Sequence, residues 1–242
     1  MEDSGIYRYE EGVQDCKGIQ EVMKSRYRDK VLFLGNIGNP LIDWLRDHGE
    51  DVRQCSDKLM VRNIRDEYYT WLISYGYRYI LGKDVFDLFP DRAINLHISY
   101  LPWNGGCDPN FWSFVEDTPK GVTIHYLDEG MDTGDIIVQE RVDFDYKTDT
   151  LRTSYDKLCS AIEDLFKRNW GSIKWGICER RKQEGDGSCH SKSDMVDFRH
   201  LLRDGWDTPV WMLDYCPGDD VMVSRDFWDN YYSGVKELQV GT

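Results

Sequence analysis

The chain has 242 residues, 44 of them Asp or Glu and 30 Lys or Arg, for a formal net charge of −14. With 40% hydrophobic and 14% aromatic residues it carries enough apolar mass for a sizeable core, which excludes a disordered chain. The acid excess disfavours a nucleic-acid partner, whose grip needs a basic face. The absence of an apolar run of about 18 residues leaves no membrane span to expect.

Residues 1–30 are polar and charged, weakly helical near Ile19 to Tyr27, and read as an N-terminal extension. They lack the basic-then-apolar pattern of a signal peptide, so the cytoplasm is the default compartment. Seven cysteines (Cys16, Cys55, Cys107, Cys159, Cys178, Cys189, Cys216), odd in number and without a CxxC pair, read as reduced thiols, and no metal is expected.

Val31 to Gly35 is a short apolar run ending in Gly, as a buried parallel strand would. The following Gly35-Asn-Ile-Gly38 loop has two readings, a phosphate cradle and a tight strand-to-helix turn. Pro40 suits a first helical position, and Leu41, Ile42 and Leu45 share one helical face, closed by His48-Gly49. Asp51 to Cys55 reads as a strand, Arg65 to Tyr75 as a helix closed by Gly76, Tyr77 to Leu81 as a third strand and Ala93 to His97 as a fourth. This alternation predicts an α/β fold on an open, mostly parallel sheet flanked by helices. Ligands in such sheets sit beyond the C-terminal strand ends, where Asn95 and His97 fall.

Gly121 to Leu127 and Ile136 to Val142 read as two more strands, joined hairpin-like through the 130–135 turn. Thr150 to Asn169 carries Leu151, Tyr155, Leu158, Ile162, Leu165 and Phe166 at helical spacing. Ser172 to Arg180 reads as a strand and Gly185-Asp-Gly187 as a loop. The organisation expected is an extension (1–30), a catalytic α/β domain (31–182) and a small C-terminal extension packing on it (183–242), acidic and aromatic after Pro217.

The chemistry concentrates in Asn95-Leu-His-Ile-Ser-Tyr-Leu-Pro-Trp-Asn104 and in Gly121 to Ile137. Residues two apart on a strand face the same way, so the amide of Asn95 and the imidazole of His97 project together. Asp132, in the Gly130-Met-Asp-Thr-Gly134 turn, can fold a carboxylate back toward that ring. A donor, a titratable ring and a carboxylate are the parts acyl transfer needs. His125, in mid-strand, reads as a satisfied core histidine, and His190 is divided between structure and function. His48 reads as a helix-end residue and His200 as surface. Asp128, Glu129 and Asp135 read as a solvated acidic turn.

This block resembles the formyltransferases that use N10-formyltetrahydrofolate, whose pattern is Asn-x-His before Ser-x-Leu-Pro, then Asp in a Leu/Met-Asp-x-Gly turn. Here those positions are Asn95, His97, Ser99-Tyr-Leu-Pro102 and Met131-Asp132-Thr-Gly134. Pro102-Trp-Asn and Pro109-Asn-Phe-Trp112 look most like the branch acting on nucleotide-linked amino sugars. The resemblance spans about Val31 to Thr208. It departs at Gly105, where Arg is expected, and in the short spacing from Val31 to Asn95.

The resemblance implies a Rossmann-like formyltransferase fold and N10-formyltetrahydrofolate as co-substrate. Asn95, His97 and Asp132 are the implied catalytic set. The folate would lie against Ile80, Leu81, Gly82, Lys83, Val85, Asp128 and Gly130. The substrate, a nucleotide-linked amino sugar, would lie against Tyr100, Trp103, Asn104, Asn110 and Trp112, although for Trp103, Phe111 and Trp112 core packing is the favoured reading of the residues themselves. Relatives in this branch are often dimers through C-terminal elements, for which Trp206 to Tyr215 is the candidate. Two anionic substrates on an acidic protein call for a local basic mouth, with Lys83, Arg92 and Lys192 as candidates and the acid excess mainly in the terminal segments. Another small amine, an aminoacyl-tRNA or a non-enzymatic scaffold are the competing functions.

Overall fold

The structure is a computed structural model and describes residues 29–213. The Ile19 to Tyr27 stretch, Tyr215 and the acidic end after Pro217 lie outside the described residues. Of the 44 acidic and 30 basic residues, 32 and 23 fall within 29–213, so the acid excess belongs mainly to the described part and not to the terminal segments.

β1 (Lys30–Gly35) is buried from Val31 to Leu34 because the sheet is covered on both faces. It pairs in parallel with β2 (Asp51–Cys55) and with β3 (Trp71–Tyr75), and β3 pairs in parallel with β4 (Ala93–His97). β6 (Gly121–Tyr126) runs antiparallel to β4 and to β7 (Ile136–Arg141), closing a six-stranded sheet of order β2-β1-β3-β4-β6-β7. A separate pair joins β5 (Gly105–Gly106) to β8 (Cys189–His190).

α1 (Pro40–Asp47) starts with Asn39 capping the Leu41 N–H and Pro40 in the first turn, and buries Leu41, Ile42 and Leu45. His48 stands at its C-terminal end, stacked on Trp44. α2 (Lys83–Phe86) is one turn, and α3 (Pro109–Val115) is buried along its whole length. α4 (Leu151–Lys174) opens with a Thr150–Thr153 capping box and lays Leu158, Ile162, Leu165, Phe166, Trp170 and Ile173 on the sheet. α5 (Met195–Phe198) and the turns to Leu213 pack Met195, Val210 and Leu213 against Phe111, Trp112 and Leu151. Residues 183–213 therefore pack on the body of the fold. Among the described residues no helix is long and apolar enough to cross a membrane.

Three expected elements are corrected. Arg65 to Tyr75 is not a helix: its second half is β3, buried on both faces and so without the alternation that marks a half-exposed strand. Tyr77 to Leu81 consequently forms no strand and runs irregularly toward α2. Ser172 to Arg180 is not a strand either. α4 continues to Lys174 and ends at Gly176, whose φ is 65°, after which Arg181 forms an isolated bridge to Ile136.

Glu50, almost fully buried between α1 and β2, ties α4 to this edge of the molecule. Its carboxylate accepts from Trp170 Nε1 at 3.1 Å and from Lys174 Nζ at 2.8 Å.

Candidate active site

The parallel strands end where β4 presents Asn95 and His97. The turn after β6 brings Asp132 over them with its backbone in the left-handed region, φ 56°, which Asp and Asn tolerate better than other non-glycine residues. Asn95 Nδ2 donates to Asp132 Oδ1 at 3.0 Å, and the Gly106 N–H of β5 donates to Oδ2 at 2.8 Å. His97 Nδ1 stands 3.6 Å from Oδ2 and His125 Nε2 3.4 Å from Oδ1. The three residues expected to meet do so, over one carboxylate.

The hydrogen bonds fix atoms as well as residues. His97 Nε2 lies 3.0 Å from the Asn104 carbonyl, which only accepts, so Nε2 carries a proton and Nδ1 faces the carboxylate. His125 Nδ1 lies 2.8 Å from the Tyr126 carbonyl, so Nδ1 carries the proton and Nε2 accepts from Asn95 Nδ2 at 3.2 Å. Both amide hydrogens of Asn95 are thus engaged, and its Oδ1 is the atom without a partner among the described residues. Burial alone would raise the Asp132 carboxyl. The charge of His97 and the Gly106 N–H reverse that and hold it far below the usual carboxylate range.

His125 is the residue the sequence reading left in the core. It is fully buried, but it sits directly opposite Asn95 in the β4–β6 register, with its imidazole on the carboxylate. Thr123 and His125, polar residues two apart on one strand face, were the available signal. Thr123 stands opposite His97 and donates to the Ser99 carbonyl at 2.7 Å.

Of the expected substrate contacts, Tyr100 and Trp103 are half-buried, with the Arg141 guanidinium over the Tyr100 ring. Asn104 and Trp112 present no side-chain surface. Asn104 donates to Thr118 Oγ1 at 2.6 Å, and Trp112 stacks on His190 at 3.9 Å, itself 3.0 Å from Glu116. Asn110 is bonded to the Leu151 carbonyl and to Ser154, at the floor of a cavity of about 460 Å³ that Ile98, Tyr155 and Trp206 also line. The interior roles of Asn110 and Trp112 follow from the burial of α3 along its whole length.

Of the expected folate contacts, Ile80 is 82% exposed, and the backbone groups of Ile80 and Leu81 make no hydrogen bond to another described residue. Gly82 caps α2, and Lys83 links this stretch to the Asp128–Gly130 turn through Glu129 at 3.4 Å. An exposed stretch with unpaired backbone donors and acceptors, beside that turn, suits a flat heterocycle bearing polar edges. Val85 is a correction: its side chain is buried with Leu32, Leu72 and Phe89, and its N–H and carbonyl are bonded to Gly82 and Leu88. Asp128 accepts from the Gly130 N–H and from Thr133, Asp135 pairs with Arg180, and no metal-ligating group of three His, Cys, Asp or Glu occurs among the described residues. Lys83 is paired with Asp87 and Glu129, Arg92 lies at the opposite end of β4 from His97, and Lys192 is exposed beyond β8.

Comparison with known proteins meets this geometry from outside. The formyl transferase family profile matches residues 40–168, just over half of the chain. Formyltransferase PseJ from Anoxybacillus kamchatkensis, solved with UDP-4,6-dideoxy-4-formamido-L-AltNAc and tetrahydrofolate, is 49% identical. That match covers 76% of this chain and 97% of PseJ, with a TM-score of 0.73. A 4-N formyltransferase from Francisella tularensis shares the fold at 23% identity, covering 77% and 86% of the two chains, TM-score 0.63. Methionyl-tRNA formyltransferase from Halothermothrix orenii is 36% identical over 132 residues, 54% of this chain. The chain spans about two fifths of the length of the curated relatives it matches, 42% and 38%. With its Asn-x-His strand end and its Asp turn assembled inside the matched region, the chain belongs to the formyl transferase family of enzymes.

Proposed function

We propose that this protein moves the formyl group of N10-formyltetrahydrofolate to the amine of a nucleotide-linked amino sugar, in the cytoplasm. The observation that carries the reading is the Asp132 carboxylate held between Asn95, the Gly106 N–H and two histidines at the strand ends. PseJ, similar over nearly its whole length, supports the sugar and folate as the two substrates.

The folate supplies the formyl group as an amide on N10. Attack by the amine on the formyl carbon places negative charge on the formyl oxygen and a surplus proton on the attacking nitrogen. His97 Nδ1 is the ring atom turned to the reacting group, since Nε2 is engaged by Asn104. At 3.6 Å from Asp132 it is too distant for a full hydrogen bond, so a proton there can go to the formyl oxygen. Asn95 completes the donor pair by exchanging one of its two internal bonds for that oxygen. Asp132, kept ionised, stabilises the imidazolium and draws the ammonium proton away, directly or through a water. As the carbonyl reforms, the oxygen's proton returns to His97 Nδ1, the N10–carbon bond breaks, and the proton drawn from the ammonium passes to N10.

The test is incubation with N10-formyltetrahydrofolate and a panel of UDP-, dTDP- and GDP-linked 3- and 4-amino sugars, with glycinamide ribonucleotide and initiator aminoacyl-tRNA as further amines. Tetrahydrofolate release with an amino sugar, lost in a folded His97→Ala protein, is the expected result. Release with only the ribonucleotide or the tRNA, or full turnover by His97→Ala, overturns it. A homodimer through the segment around Trp206, 45% exposed, belongs to the same reading and is checked by sedimentation.

A further inference from the structure

We infer that the segment from Arg180 to His190 is a positioning strap that sets the distance between Asp132 and His97, with Gln183 and Ser188 as its positioning residues. The inference rests on the formyl-transfer reading above and adds two residues to it.

The strap is anchored at one end by β7, where Arg181 and Ile136 exchange both backbone hydrogen bonds, at 2.6 and 2.9 Å. Arg180 adds ion pairs to Asp135 and Asp91. Two residues on, Gln183 Nε2 donates to the carbonyls of Asp132, at 2.7 Å, and Gly134, at 2.8 Å. One primary amide therefore holds two carbonyls of the turn that carries the carboxylate. That turn needs holding, because Asp132 sits at positive φ and its neighbour Met131 is exposed.

Farther along, Ser188 grips the other half of the site. Its hydroxyl accepts from the Asn104 N–H at 3.0 Å and donates to Asn104 Oδ1 at 3.1 Å. Its backbone N–H donates to the Pro102 carbonyl, and its carbonyl accepts from the Gly105 N–H. Asn104 is the residue whose carbonyl holds His97 Nε2, and the next glycine, Gly106, supplies the N–H on Asp132. A single stretch of chain thus fixes the carboxylate turn through one side chain and the histidine's anchor through another. Neither Gln183 nor Ser188 touches the reacting atoms, so each acts through the residue it holds.

The side-chain chemistry gives a directional test. Gln183→Leu keeps the bulk and removes both donors. Gln183→Glu, ionised at neutral pH, sets a carboxylate against two carbonyls, and recovers one donor when protonated. Kinetics of formyl transfer, with unfolding midpoints as control, should show kcat reduced roughly 10- to 100-fold in Gln183→Leu with KM for both substrates near wild type. Gln183→Glu should be slower still at pH 8 and regain activity toward pH 5. Ser188→Ala should lower kcat, and Ser188→Thr, which keeps the hydroxyl, should restore it. Wild-type kcat and pH profile in both Gln183 variants, or KM effects without a kcat effect, overturn the inference while leaving the transfer reading intact. Backbone hydrogen exchange at Gly106 and Met131 to Gly134 tests the strap independently of any substrate. Faster exchange there in Gln183→Leu supports it even if no amine is formylated, and unchanged exchange overturns it.

Discussion

Asn95 Nδ2 and Asp132 Oδ1 are joined by a 3.0 Å hydrogen bond that links a β-strand to a turn 37 positions later. The bond settles which way the amide faces, because a carbonyl oxygen in that place would oppose a carboxylate. It also makes Asp132→Asn the cleanest removal of the charge, since Asn accepts the left-handed backbone that Ala resists. That variant should fold and lose about 10²–10³ in kcat, the scale of one lost electrostatic partner in a transition state. Steady-state transfer rates beside far-ultraviolet circular dichroism check it, and a rate within threefold of wild type would remove Asp132 from the chemistry.

The His125 ring accepts from Asn95 in a fully buried position. His125→Leu leaves an amide hydrogen of Asn95 without its acceptor, a loss of about 1–3 kcal/mol in unfolding free energy. The same substitution frees Asn95 to rotate, so kcat should fall alongside. Urea denaturation and transfer kinetics on one preparation give both numbers. Unchanged stability with unchanged rate would return His125 to a purely space-filling role.

Asp132 has a depressed folded-state pKa, so its ionised form contributes stability that is present above the unfolded value of about 3.9 and lost as pH falls through the folded value. The stability difference between wild type and Asp132→Asn should therefore shrink as pH drops below about 4. Chemical denaturation at pH 3 and pH 6 measures it, and a gap that widens toward acid contradicts the sign.

Glu50 stands apart from the site and tests the fold alone. Its side chain is 3% exposed and meets both Lys174 and the Trp170 indole. Truncation to Ala leaves a mostly buried ammonium with Asp29 as its other acid partner, so a loss of about 3 kcal/mol is expected, at the lower end for a broken buried pair. Turnover per folded molecule should be unchanged, as activity measured against the folded fraction will show.

Gly106 has φ 86°, and a Cβ there would stand 2.2 Å from the His190 carbonyl. Gly106→Ala should separate β5 from β8 and withdraw the N–H from Asp132. A fall in kcat of at least tenfold is expected. A crystal structure with the Gly106–Asp132 bond intact would contradict this account of its role.

Strands with one clear role were legible from their residues: Asp51 to Cys55 and Ala93 to His97 begin and end where expected. Trp71 to Tyr75 was not, because a strand buried on both faces has no period to distinguish it from a helix turn, and the aromatic run before it imitates helical spacing. The long helix hid its last turn for a related reason, since Ile173 and Trp175 have strand-like side chains. Asn95, His97 and Asp132 were legible because a motif carries them. His125 was not, because its role is set by the pairing of β4 with β6, a relation between two strands that inspection of either one does not contain. Gln183 and Ser188 were invisible for the same cause at longer range.

The strap has a consequence for how the molecule comes into being. Six strands of the sheet are complete once residue 141 has been made, but Gln183 and Ser188 are added some forty residues later. At about 5–20 residues per second during synthesis, the growing chain spends several seconds with all six strands made and the strap still to come. A ribosome-bound chain of that intermediate length would hold Asn95, His97 and Asp132 without the two side chains that tie their turns together.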